Sequence, residues 1–356
     1  MTNDLVFDQR MIRICNSLAE AGYDVLLIGR NKKNSPPLLQ QKFRQKRLSC
    51  FSQKGKLFYI EYNIRLFFYL LFLKTDCYCA IDLDSILPNL FASMLRKKKR
   101  VYDAHELFCE MQEIISRPAI HKIWKGIEAF AVPRFKNGYT IGGLYRAQFK
   151  EMYGVNYEIV RNATVLNQEN QAAAEKEKHL YYQGAVNEGR CFERLIPALA
   201  SLEYKMLVCG SGNYFEQAKA LSIQHGLENR IKFMGYLDPI ELKNYTQEAY
   251  VGITLFEESG KSNYYSLGNR FFDYMHWGVP QLCVAYPEYV AINEEFEVAY
   301  LVADTSIESL QKGIRKLMED DAYYNGLKAN CFKAREKYNW QAEEKKLIAF
   351  YKKLFG

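Results

Sequence analysis

The sequence lacks an apolar stretch long enough to cross a lipid bilayer. Its longest fully apolar run is residues 66–73, whereas a membrane-spanning helix needs about 20 residues. Metal-binding patterns are also missing, because the nine cysteines include no CxxC pair and have no partner histidine at ligand spacing. Free thiols of this kind are typical of a reducing cytosol. We therefore expect a cytoplasmic protein without disulfides, a bound metal or a cofactor.

The positive charge is concentrated in the first part of the chain. Residues 1–160 contain 25 Lys/Arg and 15 Asp/Glu, whereas residues 161–356 contain 23 and 26. A basic half indicates an acidic partner, such as a phosphate-bearing substrate, an anionic membrane surface or a nucleic acid. Nucleic acid is the least favoured of the three, because the basic residues are not interleaved with aromatic residues on one face.

One stretch of the second half has the order strand, loop, helix, strand. Residues 251–256 and 281–285 are apolar runs typical of buried strands, and Gly278 and Pro280 end the helix between them. This order is typical of a parallel α/β sheet. Such sheets bind ligands beyond the carboxyl ends of their strands, where helix N-termini favour anions. Asn269 and Asp273 share one face of the helix near that end.

The helix also carries a recognisable motif. Gly268-Asn-Arg-Phe-Phe-Asp-Tyr-Met275 resembles the Pro-Asn-Lys-x-Phe-Glu-Tyr-Met pattern of retaining family 4 glycosyltransferases. The resemblance implies the GT-B fold: two Rossmann-like α/β domains of doubly wound type that face each other across a cleft. It also implies that Asn269, Arg270 and Asp273 bind a nucleotide-sugar donor, with Asp273 on the ribose hydroxyls. The alternative is an ordinary amphipathic helix with Arg270 and Asp273 as a solvated pair.

Two glycine-bearing loops follow predicted strands and resemble loops of the same family. Gly184 follows the strand at residues 179–183 and precedes Arg190, and Gly210 and Gly212 follow the strand at residues 206–209. Glycine lets backbone N–H groups approach a diphosphate closely, and an arginine can bind its oxygens. The resemblance implies donor binding by both loops, with Arg190 and Arg270 as the catalytic cations.

The first half carries a second candidate site. A short predicted strand ends in Asp103, His105 and Glu106, and carboxylates orient an imidazole and raise its basicity. The run from Tyr102 to Leu107 resembles the segment of these transferases in which the histidine lines the cleft near the transferred sugar. The resemblance implies a catalytic role for His105 and an acceptor-side role for Asp103 and Glu106.

The start of the chain departs from a doubly wound domain, which normally opens with a buried strand. Only residues 5–7 are apolar before the first predicted helix. Residues 3–10 resemble the loop that follows the first strand in a subgroup of these transferases, and this places Asp8 and Arg10 on the acceptor side. We expect the first strand to be very short or missing, and the natural start to lie upstream.

The predicted domains follow from composition and from the resemblance. Residues 168–178 are polar and unpatterned, and they are the best linker candidate. We expect an N-terminal domain at residues 1–164, a nucleotide-sugar domain at 165–338, and a C-terminal helix at 339–356 that returns to the first domain, as the family implies. Residues 36–56 are basic and weakly patterned, and they are predicted to form a mobile loop.

Two positions depart from the family pattern. Tyr265 stands where a first glutamate is common, and Ala185 stands where an additional arginine is common. The resemblance implies a metal-independent glycosyltransferase of cell-surface polysaccharide synthesis, with a saccharide or lipid-linked acceptor and a peripheral membrane location. A nucleotide-sugar epimerase of the same fold and a non-catalytic scaffold remain alternatives. The sugar, the base, the acceptor and the oligomeric state stay open.

Overall fold

A computed structural model describes residues 1–167, 176–258 and 260–356. The chain divides into two compact units: unit 1 contains Met1–Arg161 and Glu343–Gly356, and unit 2 contains Asn162–Ala342. Most of the predicted linker, residues 168–175, lies outside the described residues. Both units consist of helices and parallel strands, so the predicted α/β class is confirmed.

Unit 1 alternates strands and helices over its first 161 residues. Its elements are α1 (Gln9–Glu20), β1 (Leu26–Asn31), β2 (Arg44–Ser49), α2 (Gly55–Phe72), β3 (Cys77–Ile81), α3 (Ile86–Leu95), β4 (Lys99–Ala104), α4 (Gln112–Ile115), α5 (Pro118–Ala131), β5 (Gly138–Thr140), α6 (Gly143–Tyr153) and β6 (Glu158–Ile159). The strands form two parallel sheets, one of β1 and β2 and one in the order β3-β4-β5-β6.

The segment predicted as a mobile loop contains a strand. Residues 44–49 form β2, which pairs in parallel with β1, so the prediction of a loop across residues 36–56 was wrong. The reason is that pairing with a buried neighbour outweighs the weak strand propensity of a charged sequence. Lysine and arginine are typical of an edge strand, where they discourage pairing with other chains. No strand precedes α1 in the described structure, and residues 5–7 form a turn.

Unit 2 contains one six-stranded parallel sheet in the order β12-β11-β10-β7-β8-β9. Its elements are β7 (His179–Gln183), α7 (Phe192–Ala200), β8 (Lys205–Cys209), α8 (Phe215–Gln224), β9 (Ile231–Gly235), α9 (Pro239–Glu248), β10 (Val251–Thr254), α10 (Lys261–Tyr264), α11 (Asn269–His276), β11 (Gln281–Val284), α12 (Pro287–Glu295), β12 (Ala299–Val302), α13 (Ile307–Glu319) and α14 (Asp321–Lys337). The strands of the predicted 251–285 stretch, β10 and β11, are central and fully buried, and this places the loops after β7, β8 and β10 at one edge.

The last helix, α15 (Trp340–Phe355), contributes its residues from Glu343 onward to unit 1. Tyr351 packs against Tyr23 and Tyr139, with ring centroids 6.0 and 6.4 Å apart. The Glu343 carboxylate is buried and accepts a hydrogen bond of 3.0 Å from the backbone N–H of Arg161. Among the described residues, no helix is long and apolar enough to cross a bilayer.

We predict that Gly252→Ala destabilises unit 2. A Cβ at position 252 would overlap the ring of Tyr274, which is fully buried on α11. Overpacking of this kind costs about 1–3 kcal/mol, which should lower the thermal unfolding midpoint by several degrees. The matched control is Gly326→Ala in α14, where a Cβ meets no atom within 4 Å. That change should be neutral or stabilising by up to ~1 kcal/mol, and equal midpoints for both variants would contradict the packing argument.

Candidate functional site

The loops after β7 and β8 are hydrogen-bonded to each other at the carboxyl edge of the sheet of unit 2. Gly184 N donates to Cys209 O at 2.9 Å, and Val186 N donates to Ser211 O at 3.1 Å. Gly184 has a φ of 113° and Gly210 a φ of 153°, a region that side chains rarely allow. A Cβ on Gly210 would also overlap the carbonyl group of Gly184. Both predicted glycines are therefore required by backbone geometry.

A buried arginine faces the first of these loops. Arg270 is 9% exposed on α11, and a Cβ on Gly184 would lie 3.3 Å from its Nη2. Its guanidinium lies 4.3 Å from the ring centroid of Tyr182 and 5.3 Å from that of Phe256. Its Nη1 is buried and has no hydrogen-bond partner among the described residues. The alternative of a solvated surface pair is therefore wrong for Arg270.

Arg190 shares an aromatic partner with Arg270. Its guanidinium lies 4.6 Å from the ring centroid of Phe256, so two cations approach one buried ring. The backbone between Gly184 and α7 turns sharply, with a φ of 75° at Gly189 and 60° at Cys191. Two guanidinium groups beside a glycine loop can bind a multiply charged anion such as a diphosphate.

The Asp273 carboxylate is held by two hydrogen bonds. Its Oδ1 accepts from Thr164 Oγ1 at 2.6 Å, and its Oδ2 accepts from Gln183 Nε2 at 2.7 Å. The amide oxygen of Gln183 in turn accepts from Thr246 Oγ1 at 2.6 Å. This partly buried chain of hydrogen bonds orients Asp273 beside β7, and carboxylate lone pairs that remain can accept from hydroxyl groups.

The N-terminal end of α11 carries the other predicted donor residues. Asn269 Oδ1 accepts a hydrogen bond of 2.5 Å from Asn162 Nδ2. The residue before it, Gly268, has no side chain to cap the helix, and its own N–H donates to Tyr289 Oη at 2.9 Å. The first N–H groups of such a helix favour an anion. Gly212 lies in the exposed part of the second loop, where a Cβ would overlap Val186 O.

Unit 1 brings the predicted acceptor-side residues together at the carboxyl end of β4. The buried Asp103 carboxylate accepts from Arg10 Nη2 at 2.8 Å and from Arg10 Nε at 3.3 Å. Arg10 Nη1 donates to Val160 O at 3.1 Å, so one guanidinium joins α1, β4 and the residue that follows β6. Because Arg10 and Asp103 are almost fully buried, this geometry favours a positioning role for both.

His105 lies between two carboxylates. Its Nε2 is 2.8 Å from Asp82 Oδ2, and its Nδ1 is 3.8 Å from Asp103 Oδ1. Burial lowers the pKa of His105, but Asp82 and Asp103 outweigh that effect and raise it well above its usual value. The two carboxylates therefore favour the protonated imidazole, whose Nε2–H is directed at Asp82.

Asp82 is one of the site residues that sequence reasoning missed. It follows β3, with a φ of 53° and a ψ of 174°, a backbone conformation that costs about 1–3 kcal/mol. Its N–H donates to Asp103 O at 3.0 Å, so it adjoins the carboxyl end of β4. An available signal was an aspartate directly after the strand that neighbours the one bearing His105. Phe256 and Gln183 were also missed, although each lies at or just beyond the end of a strand.

Two further carboxyl groups surround Asp82. Burial and then the charge of Asp82 raise the pKa of Glu106 to about 7. The same two causes raise the pKa of Asp84 to about 6. Asp8 lies at the start of α1, where its Oδ1 accepts a capping hydrogen bond of 2.9 Å from Met11 N. Across the described ranges, no group of three or more His, Cys, Asp or Glu is arranged to hold a metal ion.

The two departures from the family motif have local partners. Tyr265 N donates to Lys261 O at 3.0 Å, and its ring contacts that of Tyr264 at 5.4 Å. Ala185 is exposed, and its carbonyl oxygen accepts from Tyr182 Oη at 2.6 Å. Tyr182 is also the aromatic ring nearest to Arg270, so the Ala185 loop and Arg270 share a contact.

Comparison with known proteins gives a family match in the second half of the chain. Residues 166–337 match the family model described as "Glycosyl transferases group 1". No curated protein matches the sequence significantly. Sucrose-phosphate synthase from Thermosynechococcus elongatus is similar in structure, with 18% identity, a TM-score of 0.77, and coverage of 96% of this chain and 92% of that chain.

Two further structures cover nearly the whole chain. Anabaena HepE in complex with UDP and glucose has 14% identity, a TM-score of 0.77, and coverage of 96% of this chain and 95% of that chain. WaaG, a glycosyltransferase involved in lipopolysaccharide biosynthesis, has 15% identity, a TM-score of 0.69, and coverage of 98% and 96%. Residues 166–337 therefore match the glycosyl transferases group 1 model, and the chain has the predicted GT-B fold. The family match supports a glycosyltransferase function.

We predict that Asp82 controls the pH dependence of stability. A histidine with a raised pKa stabilises the fold fully below its unfolded pKa, near 6.5, and this contribution is lost as the pH rises through the folded value. A carboxyl group with a raised pKa acts in the same direction, here from 4.5 to about 7 for Glu106. The temperature of the thermal unfolding midpoint should therefore decrease as the pH rises from about 5 to about 9.

Asp82→Asn should flatten this pH profile, because it removes the charge that raises the pKa of both His105 and Glu106. Asp24→Asn is the control, since Asp24 forms an exposed ion pair with Arg44. Differential scanning fluorimetry at several pH values measures the slope. A slope that is the same in Asp82→Asn and in the unsubstituted protein would rule out this role for Asp82.

Proposed function

We propose that this chain is a retaining glycosyltransferase that moves a sugar from a nucleotide-diphosphate sugar to a saccharide or lipid-linked acceptor. The observation that carries the proposal is the buried guanidinium of Arg270 beside Gly184. A buried cation with an unpaired N–H attracts an anion strongly, because burial has removed the competing water. The position of this cation at the carboxyl end of a parallel sheet is where such folds bind ligands.

In the proposed reaction, the bond between the anomeric carbon and the diphosphate oxygen breaks, and the diphosphate leaves with the electron pair. The acceptor hydroxyl forms the new bond on the same face, and its proton passes to the departing phosphate oxygen. Arg190 and Arg270 stabilise the negative charge that develops on the diphosphate, together with the N-terminus of α11. We propose that these groups act without a metal ion.

Asp273 is assigned to the ribose hydroxyls in this proposal. Thr164 and Gln183 orient its carboxylate by hydrogen bonds and leave acceptor capacity for a hydroxyl pair. His105 is assigned to the acceptor side, with Asp82 fixing its ring. HepE was solved with UDP and with UDP-glucose, so UDP and UDP-sugars are the first candidates for the donor.

We further propose a role in cell-surface polysaccharide synthesis at an anionic membrane. WaaG acts in lipopolysaccharide biosynthesis, and α2 of this chain has an unusual surface. One face of the helix is buried through Phe58, Tyr62, Leu66 and Leu70. Another face exposes five large apolar side chains, each more than half accessible: Leu57, Ile60, Ile64, Phe68 and Phe72. A helix that is apolar on both faces in this way is typical of a helix that packs on the protein core with one face and contacts a lipid membrane with the other.

The charges around this outer face favour a lipid surface with anionic headgroups. Exposed Lys54 and Lys56 flank the N-terminal end of α2, and exposed Lys74 follows its C-terminal end. The acidic Glu61 is bound by the backbone N–H groups of Phe51 and Ser52. Each lysine near an anionic surface contributes about 1 kcal/mol of attraction, and each inserted aromatic side chain adds hydrophobic stabilisation.

We predict that one nucleotide stabilises the protein and that Arg270→Ala abolishes the effect. In a thermal-shift panel of UDP, GDP, CMP, ADP and UDP- and GDP-sugars, a ligand at 100 times its dissociation constant adds about 2.7 kcal/mol of stability. Asp273→Ala should weaken the same response. Arg190→Ala should lower turnover by a factor of roughly 10²–10³, the typical loss when one hydrogen-bond donor to a developing oxyanion is removed.

Arg315→Ala is the matched control, because Arg315 forms an exposed ion pair with Glu319 on α13. It should keep both the nucleotide response and the turnover. The proposed donor site would be contradicted if no nucleotide in the panel raised the unfolding midpoint, or if a nucleotide raised the midpoint of Arg270→Ala equally.

We predict that Phe68→Ser/Phe72→Ser lowers binding to anionic vesicles by at least about tenfold, because two exposed aromatic side chains no longer insert. Sedimentation with vesicles of phosphatidylglycerol and phosphatidylethanolamine measures the partition. Ile223→Ser/Ile240→Ser is the control, since both residues are exposed in unit 2. Equal binding of the two variants would refute a lipid contact through α2, as would a dimer of the unsubstituted protein that only Phe68→Ser/Phe72→Ser dissociates.

A further inference from the structure

One stretch of unit 1 carries positive charge without a carboxylate of its own. Residues 30–56 contain nine Lys/Arg and no Asp/Glu. Three of the nine are paired with carboxylates elsewhere in unit 1: Lys42 with Glu20, Arg44 with Asp24, and Arg47 with Asp4. Four exposed lysines of the stretch form no ion pair among the described residues: Lys32, Lys33, Lys54 and Lys56. A surface with this imbalance attracts an anion.

The four lysines meet at the carboxyl ends of β1 and β2. The first two directly follow β1, and the other two lie where the chain passes from β2 into α2. The two strands are parallel, and Asn31 Nδ2 donates to Ser49 Oγ at 3.0 Å, so their carboxyl ends are adjacent. Parallel α/β sheets bind ligands beyond this end of their strands.

Arg30 adds a stacked guanidinium at the same place. It precedes the last residue of β1, and its guanidinium lies 3.8 Å from the ring centroid of Phe58 on α2. Its Nη2 donates to Gln53 O, whereas its Nε is buried and has no hydrogen-bond partner in the described structure. A guanidinium fixed in this way loses little side-chain freedom when it binds an anion. We call this group the basic surface: Arg30, Lys32, Lys33, Lys54 and Lys56.

The first acidic residue after the stretch does not cancel this charge. Glu61 on α2 accepts hydrogen bonds of 2.8 Å from the backbone N–H groups of Phe51 and Ser52. It also accepts one of 2.8 Å from Arg65 Nε, with which it forms an ion pair. Because these groups lie outside the basic surface, Glu61 is compensated without any of the four lysines.

The basic surface adjoins the acceptor-side cluster of unit 1. Burial and then the charge of Asp84 raise the pKa of Tyr59 on α2, whereas the charge of Arg30 lowers it, so the phenol lies near both charges. One turn further along α2, Asn63 Nδ2 donates to Asp84 O at 3.0 Å. Asp84 is one of the carboxyl groups around His105. A ligand bound at His105 can therefore extend onto the basic surface.

We propose that the basic surface binds the diphosphate of a lipid-linked saccharide acceptor. This assignment rests on the proposed function, because it concerns the acceptor of the proposed transfer. A diphosphate concentrates negative charge on neighbouring oxygens, which ammonium and guanidinium groups bind. In such an acceptor the diphosphate joins the saccharide to the lipid. The basic surface likewise adjoins both the cluster around His105 and the exposed apolar face of α2, which begins at Leu57 and Ile60.

Lysine reactivity tests the proposal in the unsubstituted protein. A bound anion keeps a lysine protonated, so its acetylation by an N-hydroxysuccinimide ester slows. Inorganic pyrophosphate and citronellyl diphosphate, a soluble short-chain prenyl diphosphate, should each slow acetylation of the four lysines by at least about fivefold, as measured by mass spectrometry. Lys136 and Lys150 are the control, because both are exposed, one ahead of β5 and one in the last turn of α6. Their acetylation should not change.

Titration calorimetry with citronellyl diphosphate gives a second readout. It is done in Arg270→Ala, so that the proposed diphosphate site of unit 2 does not contribute. Lys32→Gln/Lys33→Gln should weaken binding by roughly tenfold or more, because two charges near the anion are lost. Lys136→Gln/Lys150→Gln removes the same charge elsewhere in unit 1 and should leave the affinity unchanged. The acetylation readout needs no substitution, so it stands even if Arg270→Ala does not fold.

Three results would overturn the proposal. The first is unchanged acetylation of the four lysines with both diphosphates, and the second is equal affinity of the two lysine-pair variants. The third is equal protection by dihexanoylphosphatidylglycerol below its micellar concentration, because the surface would then bind phospholipid headgroups. The nucleotide panel depends on Arg270 in unit 2, whereas acetylation reads unit 1 alone. Failure of the proposed donor site and failure of this inference are therefore distinguishable.

Discussion

The buried guanidinium of Arg270 is the main electrostatic constraint on the loops at the carboxyl edge of the sheet in unit 2. Moving a charged group out of water is costly unless partners replace the water. The described structure supplies two aromatic rings, Tyr182 and Phe256, but leaves Nη1 without a hydrogen bond. Cation–π contacts contribute only about 0.5–2 kcal/mol, less than the cost of burying a charge. In the proposed donor site, an anion would complete the partners of Arg270, and the absent Cβ of Gly184 keeps the approach open.

In unit 1, by contrast, the buried positive charges are paired with carboxylates. The positive charges of Arg10 and His105 are matched there by the carboxylates of Asp82 and Asp103. Because the cluster is compensated internally, it does not need an external anion. Within the same cluster, burial and then the charge of Asp82 raise the pKa of Glu106 to about 7. The two units therefore offer different electrostatic environments. The arginines of unit 2 attract negative charge, whereas the paired charges of unit 1 hold the His105 ring in a defined orientation.

The sequence predicted the elements well wherever a local pattern decides them. Helix α11 and strands β10 and β11 follow directly from apolar runs and from the Gly278 and Pro280 stop signals. Strand β2 was missed because it is a strand through its pairing with β1. The strand propensity of its own residues is weak. Asp82 was missed for a related reason: its partner His105 is distant in sequence and becomes a neighbour only when β3 and β4 pair. Contacts of this kind depend on register, which no single segment contains.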